Sequence, residues 1–596
     1  MADSPKKNTE GVVRLTIFSN GTQLKDSIQV ISVKVEKRVN QIPVARIVVL
    51  DGDMPAKDFE ISDADDFKPG SEIKINAGYR DQEEVIFEGV VVKHSLKITG
   101  ENYSRLLIEC RDKAVAMTVG RKNVNYVGAK DSDVFSKLVG NYSSLSVVAE
   151  ATTTQHKELV QYYCTDWDFL VSRAEVSGAI VIVDDASVDV AAPKVSATPV
   201  LSVTYGEDLV EFQAEIDARG QYSQVTGVSW DPSVQKIVEQ VAGIETLNSH
   251  GNLTSSDLAA VVGLDNFKLQ TPISMESTAL KDWAKSQQVK SGLSKIQGRM
   301  KFQGSSDAKP GSLIELKGVG ARFSGNVFVS AICHEISDGN WFTEAEFGLP
   351  SQWFADKRDI TAPSASGLLP GVDGLHIGIV SQLEPDPDHV NQIKVTVPVL
   401  QAETEGVWAR LSSFYASDKY GEFFIPEIGD EVVLGYLNND PGHPVILGSL
   451  YSAKRTPPYP ITADNFIKAI VTRSELKIEF DDKNKVITII TPEKNKIIIS
   501  DKDKSVLIQD KTDNKVELSS SGIVLDSPKD ISIKAKGKIS LDAVGVVSIT
   551  SKADVKASGM NIEHDAKVGI TVKGGASAEL SAGGNTIVKG AMVMIN

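Results

Sequence analysis

A thiol, an imidazole and a carboxylate stand in a row at Cys333-His334-Glu335. These are the residue types of a cysteine nucleophile, its general base and an orienting acid. His334, however, ends a strand that repeats an earlier one ending at His94, and no third group is placed to orient a base, so a structural role is expected. The run Asp63-Ala64-Asp65-Asp66 offers carboxylates to calcium, but no EF-hand spacing follows it and a solvated loop is expected. The eight histidines contain no H-E-x-x-H and no paired ligand spacing, and neither G-x-x-x-x-G-K-[ST] nor G-x-S-x-G occurs. No catalytic residue and no cofactor is expected, and the chain is predicted not to be an enzyme. Cys110, Cys164 and Cys333 are odd in number and far apart, as suits reduced thiols in a protein made in the cytoplasm.

The chain has 596 residues, with 63 Lys+Arg against 79 Asp+Glu and a net charge of −16. Its length suggests about four domains, and its acidity disfavours nucleic acid as a general partner. No apolar run approaches the ~18 residues of a membrane span. The start, MADSPKKNTEG, lacks an apolar segment behind its lysines, so a cleaved export signal is not expected. The charge is uneven. From residue 471 onward there are 19 basic and 17 acidic side chains, against 44 and 62 before it, and after Phe480 the last 116 residues contain no Phe, Trp or Tyr. Two kinds of structure meet near residue 470.

In the tail, apolar pairs at i and i+2 recur with few substitutions: Ile478/Phe480, Ile487/Ile489, Ile497/Ile499 and so on to Thr586/Val588. Spacing is nine or ten residues at first and mostly eight from Ile523 onward. Each pair reads as one short strand with one inward face. An eight-residue unit is too narrow to enclose a core alone, whereas three identical chains supply one prism face each. An intertwined triple-stranded β-helix is therefore preferred over a monomeric solenoid. Fourteen strands at about 4.8 Å would give a needle on the order of 65 Å long. Its narrow lumen accounts for the missing aromatic rings.

Residues 375–455 hold five short strand patterns separated by turn signals such as Asn439-Asp440-Pro441-Gly442, which fits a small closed barrel of the OB type. Trp408, Phe414 and Tyr415 could stack on bases, but eleven acidic residues against five basic ones repel phosphates, so the barrel is predicted to be a structural collar.

The first 350 residues contain a diverged duplication. Lys68-Pro69-Gly70-Ser71 is echoed by Lys309-Pro310-Gly311-Ser312, each leading into an alternating strand, and two similar barrels in each of three chains would present six quasi-equivalent units to a hexameric ring. Thr165-Asp166-Trp167-Asp168 has capping-box form and starts a helix. Further helices are predicted over Pro232 to about Ile244, Thr254 to Val262 and Ser277 to about Gln288.

The order of duplicated barrels, OB collar and aromatic-free octad tail, with TDWDFLVSRAE at 165–175, GVGARFSG at 318–325, PEIGDEVVLGYLNNDPGHPVILGSLY at 426–451 and the NTIVKGAMVMIN ending, resembles the VgrG-type spike proteins of type VI secretion and related phage-tail-like contractile injection systems. The resemblance implies a homotrimer whose base sits on the hexameric inner tube amid baseplate proteins. It also implies a needle whose blunt end accepts a PAAR-repeat tip protein, with effectors as possible cargo and transient contact with the target membrane. The chain would be assembled into the particle and delivered extracellularly or into a target cell. It departs from the family's enzymatic members in showing no lysozyme-like insert and no C-terminal toxin domain. A wall-degrading spike and a trimeric β-rich adhesin remain the alternatives.

The expected architecture is mainly β with an α+β body: a first barrel at 1–120, an α/β insertion at 121–220, a second barrel with helices at 221–350, a linker at 351–374, the OB collar at 375–455, a neck at 456–480 and the needle at 481–596. One site follows from the tail register, and one more from the tip protein that the resemblance implies. His564 falls inward, so a threefold axis would gather three imidazoles around buried water or an anion in preference to a metal. Met592, Val593, Met594 and Ile595, with Asn596, would form an apolar end-plate for the tip.

Overall fold

A computed structural model describes residues 2–6, 11–100, 103–357, 359–398 and 406–595. The chain divides into two compact units, Met1–Leu450 and Tyr451–Asn596.

In the first unit, period-two alternation builds the sheet. Val33 and Val35 in strand Val30–Arg38, Ala45, Ile47 and Val49 in Val44–Leu50, and Leu106, Ile108 and Cys110 in Tyr103–Arg111 all face one core. The ladder continues through Gln82–Thr99 and Glu72–Tyr79 to Val13–Ser19. A second half, with strands Leu209–Ile216, Ile296–Gln303, Asn340–Phe347, Gly325–Ser337 and Leu313–Lys317, encloses its own core around Met300, Phe302, Ile314 and Val327. The halves are zipped together, since Gly325–Ser337 pairs antiparallel with Val30–Arg38 from Ala331 opposite Arg38 to Ser337 opposite Ser32. The result is one 13-stranded sheet with a core in each half.

The duplication is visible in the hydrogen bonds. Gly70 N–H donates to the Val91 carbonyl and Val91 N–H to that of Ser71; Gly311, Val329 and Ser312 repeat the pattern, all at 2.8–2.9 Å. Gly70 at φ +98° and Gly311 at φ +82° hold the left-handed position that follows Pro in a type II turn. Both following strands then bulge, between Val91 and Lys93 and between Val329 and Ala331. This register corrects one expectation. The match to His94 is Ile332 and not His334, because the hairpin spans 21 residues from Gly70 to Val91 but 18 from Gly311 to Val329.

The helix Asp166–Val176 begins at the Thr165 cap, whose hydroxyl accepts from Asp168 N–H at 3.0 Å. Ser255–Val262, capped by the Thr254/Asp257 box, forms as expected, and the helix from Ser277 runs on past the expected end near Gln288 to Ser294. The predicted helix over Pro232–Ile244 does not. That segment is a turn followed by strand Lys236–Gly243, antiparallel to Gln224–Asp231 with Trp230 opposite Ile237. Asp231 accepts from the Ser233 amide at 2.8 Å and hydroxyl at 2.6 Å, closing an Asx turn. Ile237, Val238 and Val241 are β-branched and favour the extended ladder.

The Pro/Gly/Ser-rich stretch after residue 350 is pinned to its surroundings. Trp353 Nε1 donates to Gln287 Oε1 at 2.8 Å, Phe354 and Ile360 enter the core of the α/β insertion, and Val372 N–H donates to the Asn439 carbonyl at 2.8 Å.

The collar is a closed barrel of five strands ordered His376–Gln382, Gln392–Thr396, Val407–Leu411, Pro444–Leu450 and Glu431–Tyr436. Val380, Ile393, Val395, Ala409, Val432, Leu434 and Ile446 fill it. Between Val407–Leu411 and Glu431–Tyr436 the chain throws out an arm, closed by a two-pair ladder of Ala416–Ser417 with Tyr420–Gly421.

In the second unit, seven five-residue strands from Ile467–Val471 to Gly522–Asp526 form an antiparallel meander. This differs from the expectation that every tail pair belongs to an intertwined helix, since the pairs from Ile478 to Leu525 are laddered within one chain. Turns of two to five residues, as at 520–521, 482–485 and 491–495, reverse the chain between these five-residue strands. From 527 to 595 no strand is assigned within the chain.

Candidate functional site

The tail's chemistry is its apolar face. Across the meander Phe480 lies opposite Ile487, Ile489 opposite Ile497, Ile499 opposite Val506, and Leu518 opposite Ile523, so the sequence pairs fall on one side as cross-strand neighbours. The face is uncovered in the single chain. Ile489, Ile499 and Ile508 are nearly half exposed, and in the unit Ser500 alone among the described residues is buried. Beyond it, Ile533, Leu541, Ile549 and Leu580 each keep more than two thirds of their surface exposed. Apolar surface of this extent marks an interaction site. His564 lies in this exposed stretch, as do Met592, Val593, Met594 and Ile595; Asn596 lies outside the described residues.

The Cys333-His334-Glu335 row is not a nucleophilic site. Successive strand residues point to opposite faces. His334 is buried, with Nδ1 at 3.0 Å from Thr343 Oγ1 and its ring 5.8 Å from that of Trp341, and burial together with the Lys37 charge lowers its pKa to about 3. Burial pushes the half-buried Cys333 thiol up to about 11, the reverse of what a nucleophilic thiolate needs. The acidic run is tied down locally. Asp65 pairs with Lys68 at 2.8 Å, and His94 bridges Ser62 Oγ at 2.7 Å to the Phe67 carbonyl at 3.0 Å. Among the described residues no three His, Cys, Asp or Glu are grouped to hold a metal ion.

Two ionic clusters escaped sequence reasoning because their members are far apart. Lys37, buried on the strand that joins the halves, pairs with Asp184 and reaches Asp185 at 3.5 Å, while Lys309 of the second Lys-Pro-Gly turn binds Asp184 at 2.8 Å. Burial opposes ionisation of Asp184, yet the two lysines hold its pKa below the usual value. Asp131 is clamped by Arg173 at 2.9 and 3.1 Å and by His156 at 2.8 Å. Both clusters lie between elements and serve to orient them.

The closed five-stranded barrel coincides with residues 376–451, which match the family described as the type VI secretion system/phage-baseplate injector OB domain. This barrel is thus similar to an injector-type OB domain. Residues 9–338, more than half of the chain, match the family described as the Alg8 N-terminal domain, and the chain belongs to that family. It is 37% identical over 97 residues to the actin cross-linking toxin VgrG1 of Vibrio cholerae serotype O1, covering 15% of this chain and 9% of that protein. It is 36% identical over 72 residues to the type VI secretion system spike protein VgrG1a of Pseudomonas aeruginosa, covering 12% and 11%. The chain therefore spans only 9–11% of the length of these curated relatives. The tail protein from Neisseria meningitidis MC58 superposes at a TM-score of 0.43 with 14% identity, over 58% of this chain and 99% of that one. The resemblance to VgrG-type spikes expected from the sequence holds. No helix among the described residues is long and apolar enough to cross a membrane.

Proposed function

We propose that the chain is the central spike of a contractile injection machine and acts as a homotrimer. The observation that carries this is an injector OB barrel followed in the chain by a repeat whose apolar face has no partner in its own chain. Three copies would turn those faces inward and complete the ladders that the octads cannot close alone. Load would then be shared by many hydrogen bonds that must break together, each individually modest. The duplicated halves give three copies six similar Pro-Gly hairpins, a match for the hexameric inner tube, with baseplate proteins around it. Met592 to Ile595, with Asn596, would seat a PAAR-repeat tip, and effectors would travel with it. The spike would be delivered extracellularly or into a target cell and touch the target membrane transiently. Its work is mechanical and not catalytic, and no nucleic acid is recruited. His564 would line the axis with water or an anion.

Electron microscopy of assembled particles carrying a label at the C-terminus tests this proposal. The label is expected at the leading end of the inner tube, and truncation from Gly590 should abolish tip binding. A label along the sheath, or none on particles, would contradict it.

A further inference from the structure

The collar carries an apolar arm that its own barrel does not cover. Phe414 is 97% exposed and Phe423 85%, with Tyr415, Tyr420 and Phe424 each more than half exposed. The arm is nonetheless ordered as a hairpin. Phe414 N–H donates to Glu422 Oε2 at 2.9 Å, Glu422 N–H to the Tyr415 carbonyl at 2.7 Å, and the rings of Tyr415 and Tyr420 lie 6.0 Å apart. Ordered, exposed aromatics of this density mark a docking element.

The same barrel offers a seat. On its outer wall Leu447 and Leu375 close over the bare backbone of Gly435, where a Cβ would lie 3.3 Å from Leu447 Cδ1 and 3.8 Å from Leu375 Cδ2, and together form an apolar patch. Both leucines are more than half exposed, so the arm does not occupy the seat of its own chain.

We infer that the arm of one copy docks on the Leu375–Gly435–Leu447 seat of the next, closing a head-to-tail ring of three collars. The inference rests on the trimer proposed above. Chain length supplies the reason for choosing a second copy. Leu450 ends the barrel and Ile467 opens the tail meander, a tether of at most about 60 Å. Tails that assemble at one axis therefore hold three collars at an effective concentration on the order of millimolar. At that concentration, exposed arm and exposed seat meet each other before any outside partner. A head-to-tail contact repeated around a threefold axis closes on itself and leaves neither surface open.

The test is photo-crosslinking of the full-length chain carrying Phe423→p-benzoylphenylalanine, with native mass measured on the same sample. Irradiation is expected to give denatured species of two and three chain masses, whose linked peptide contains Leu375 or residues 435–447. Leu447→Glu, an exposed substitution, should remove those species while the native mass stays trimeric. A trimer that yields only single-chain product, or links to another segment, overturns the docking inference and leaves the trimer intact. A monomer overturns both.

Discussion

Substitution of Trp341 by alanine is expected to destabilise the Met1–Leu450 unit by about 3–5 kcal/mol, measured as a shift in urea unfolding followed by far-UV circular dichroism. Trp341 lies on a strand of the second half, yet packs into the core of the first, stacked on Tyr79 at 5.5 Å. The space for the indole exists because residue 304 is glycine: a Cβ there would fall 2.1 Å from Trp341 Cδ2. Gln303 Nε2 donates to Tyr79 Oη at 2.6 Å beside it, so ring, glycine and glutamine form one seam between the halves. Removing the indole leaves a cavity that neither half can close without breaking the ladder between them. Phenylalanine should cost much less, because it keeps most of the packing and deletes the indole Nε1, a buried donor with no hydrogen-bond partner. Equal losses for alanine and phenylalanine would show that the seam does not depend on ring packing.

The second large effect is acid sensitivity. Burial holds His334 at about 3, and burial with the Lys295 charge holds His250 at about 4, whereas both titrate near 6.5 once unfolded. Below pH 6.5 the unfolded chain takes up protons that the folded chain refuses, so stability must fall as pH falls, until the folded pKa is reached. By pH 5 each histidine removes about 2 kcal/mol, and His334 about 4 kcal/mol by pH 3. Asp112 and Asp185, whose carboxyls burial raises, work the other way in the carboxylate range. The comparison is therefore cleanest between pH 7 and 5. His334→Gln should flatten the decline there by about half, and an unfolding midpoint unchanged between these pH values would refute burial of two neutral imidazoles.

Legibility in the sequence followed the range of the forces involved. The collar strands were readable because alternation, turn residues and strand length are local, and Val380, Val395, Val432 and Ile446 on those strands fill the barrel. The Thr165 cap and the short helix from Thr254 were readable for the same reason. Pro232 to Ile244 misled because a proline ahead of mixed polar and apolar residues suits both a helix start and a hairpin turn, and the choice was made by pairing with Gln224–Asp231. The tail's strands were visible, but their partners were not: the strands from Ile467–Val471 to Gly522–Asp526 pair within the chain, and a count of apolar pairs alone does not register this. Lys37 with Asp184, 147 residues apart, and Trp341 against Gly304 depend on how sheets meet, and no local pattern announces them.

The central claim is that three copies act together, since a meander with no buried apolar residue among those described cannot be an end state. Native mass spectrometry of the full chain tests it most directly. The account predicts a species of three times 64.2 kDa, and a stable monomer at micromolar concentration would contradict it.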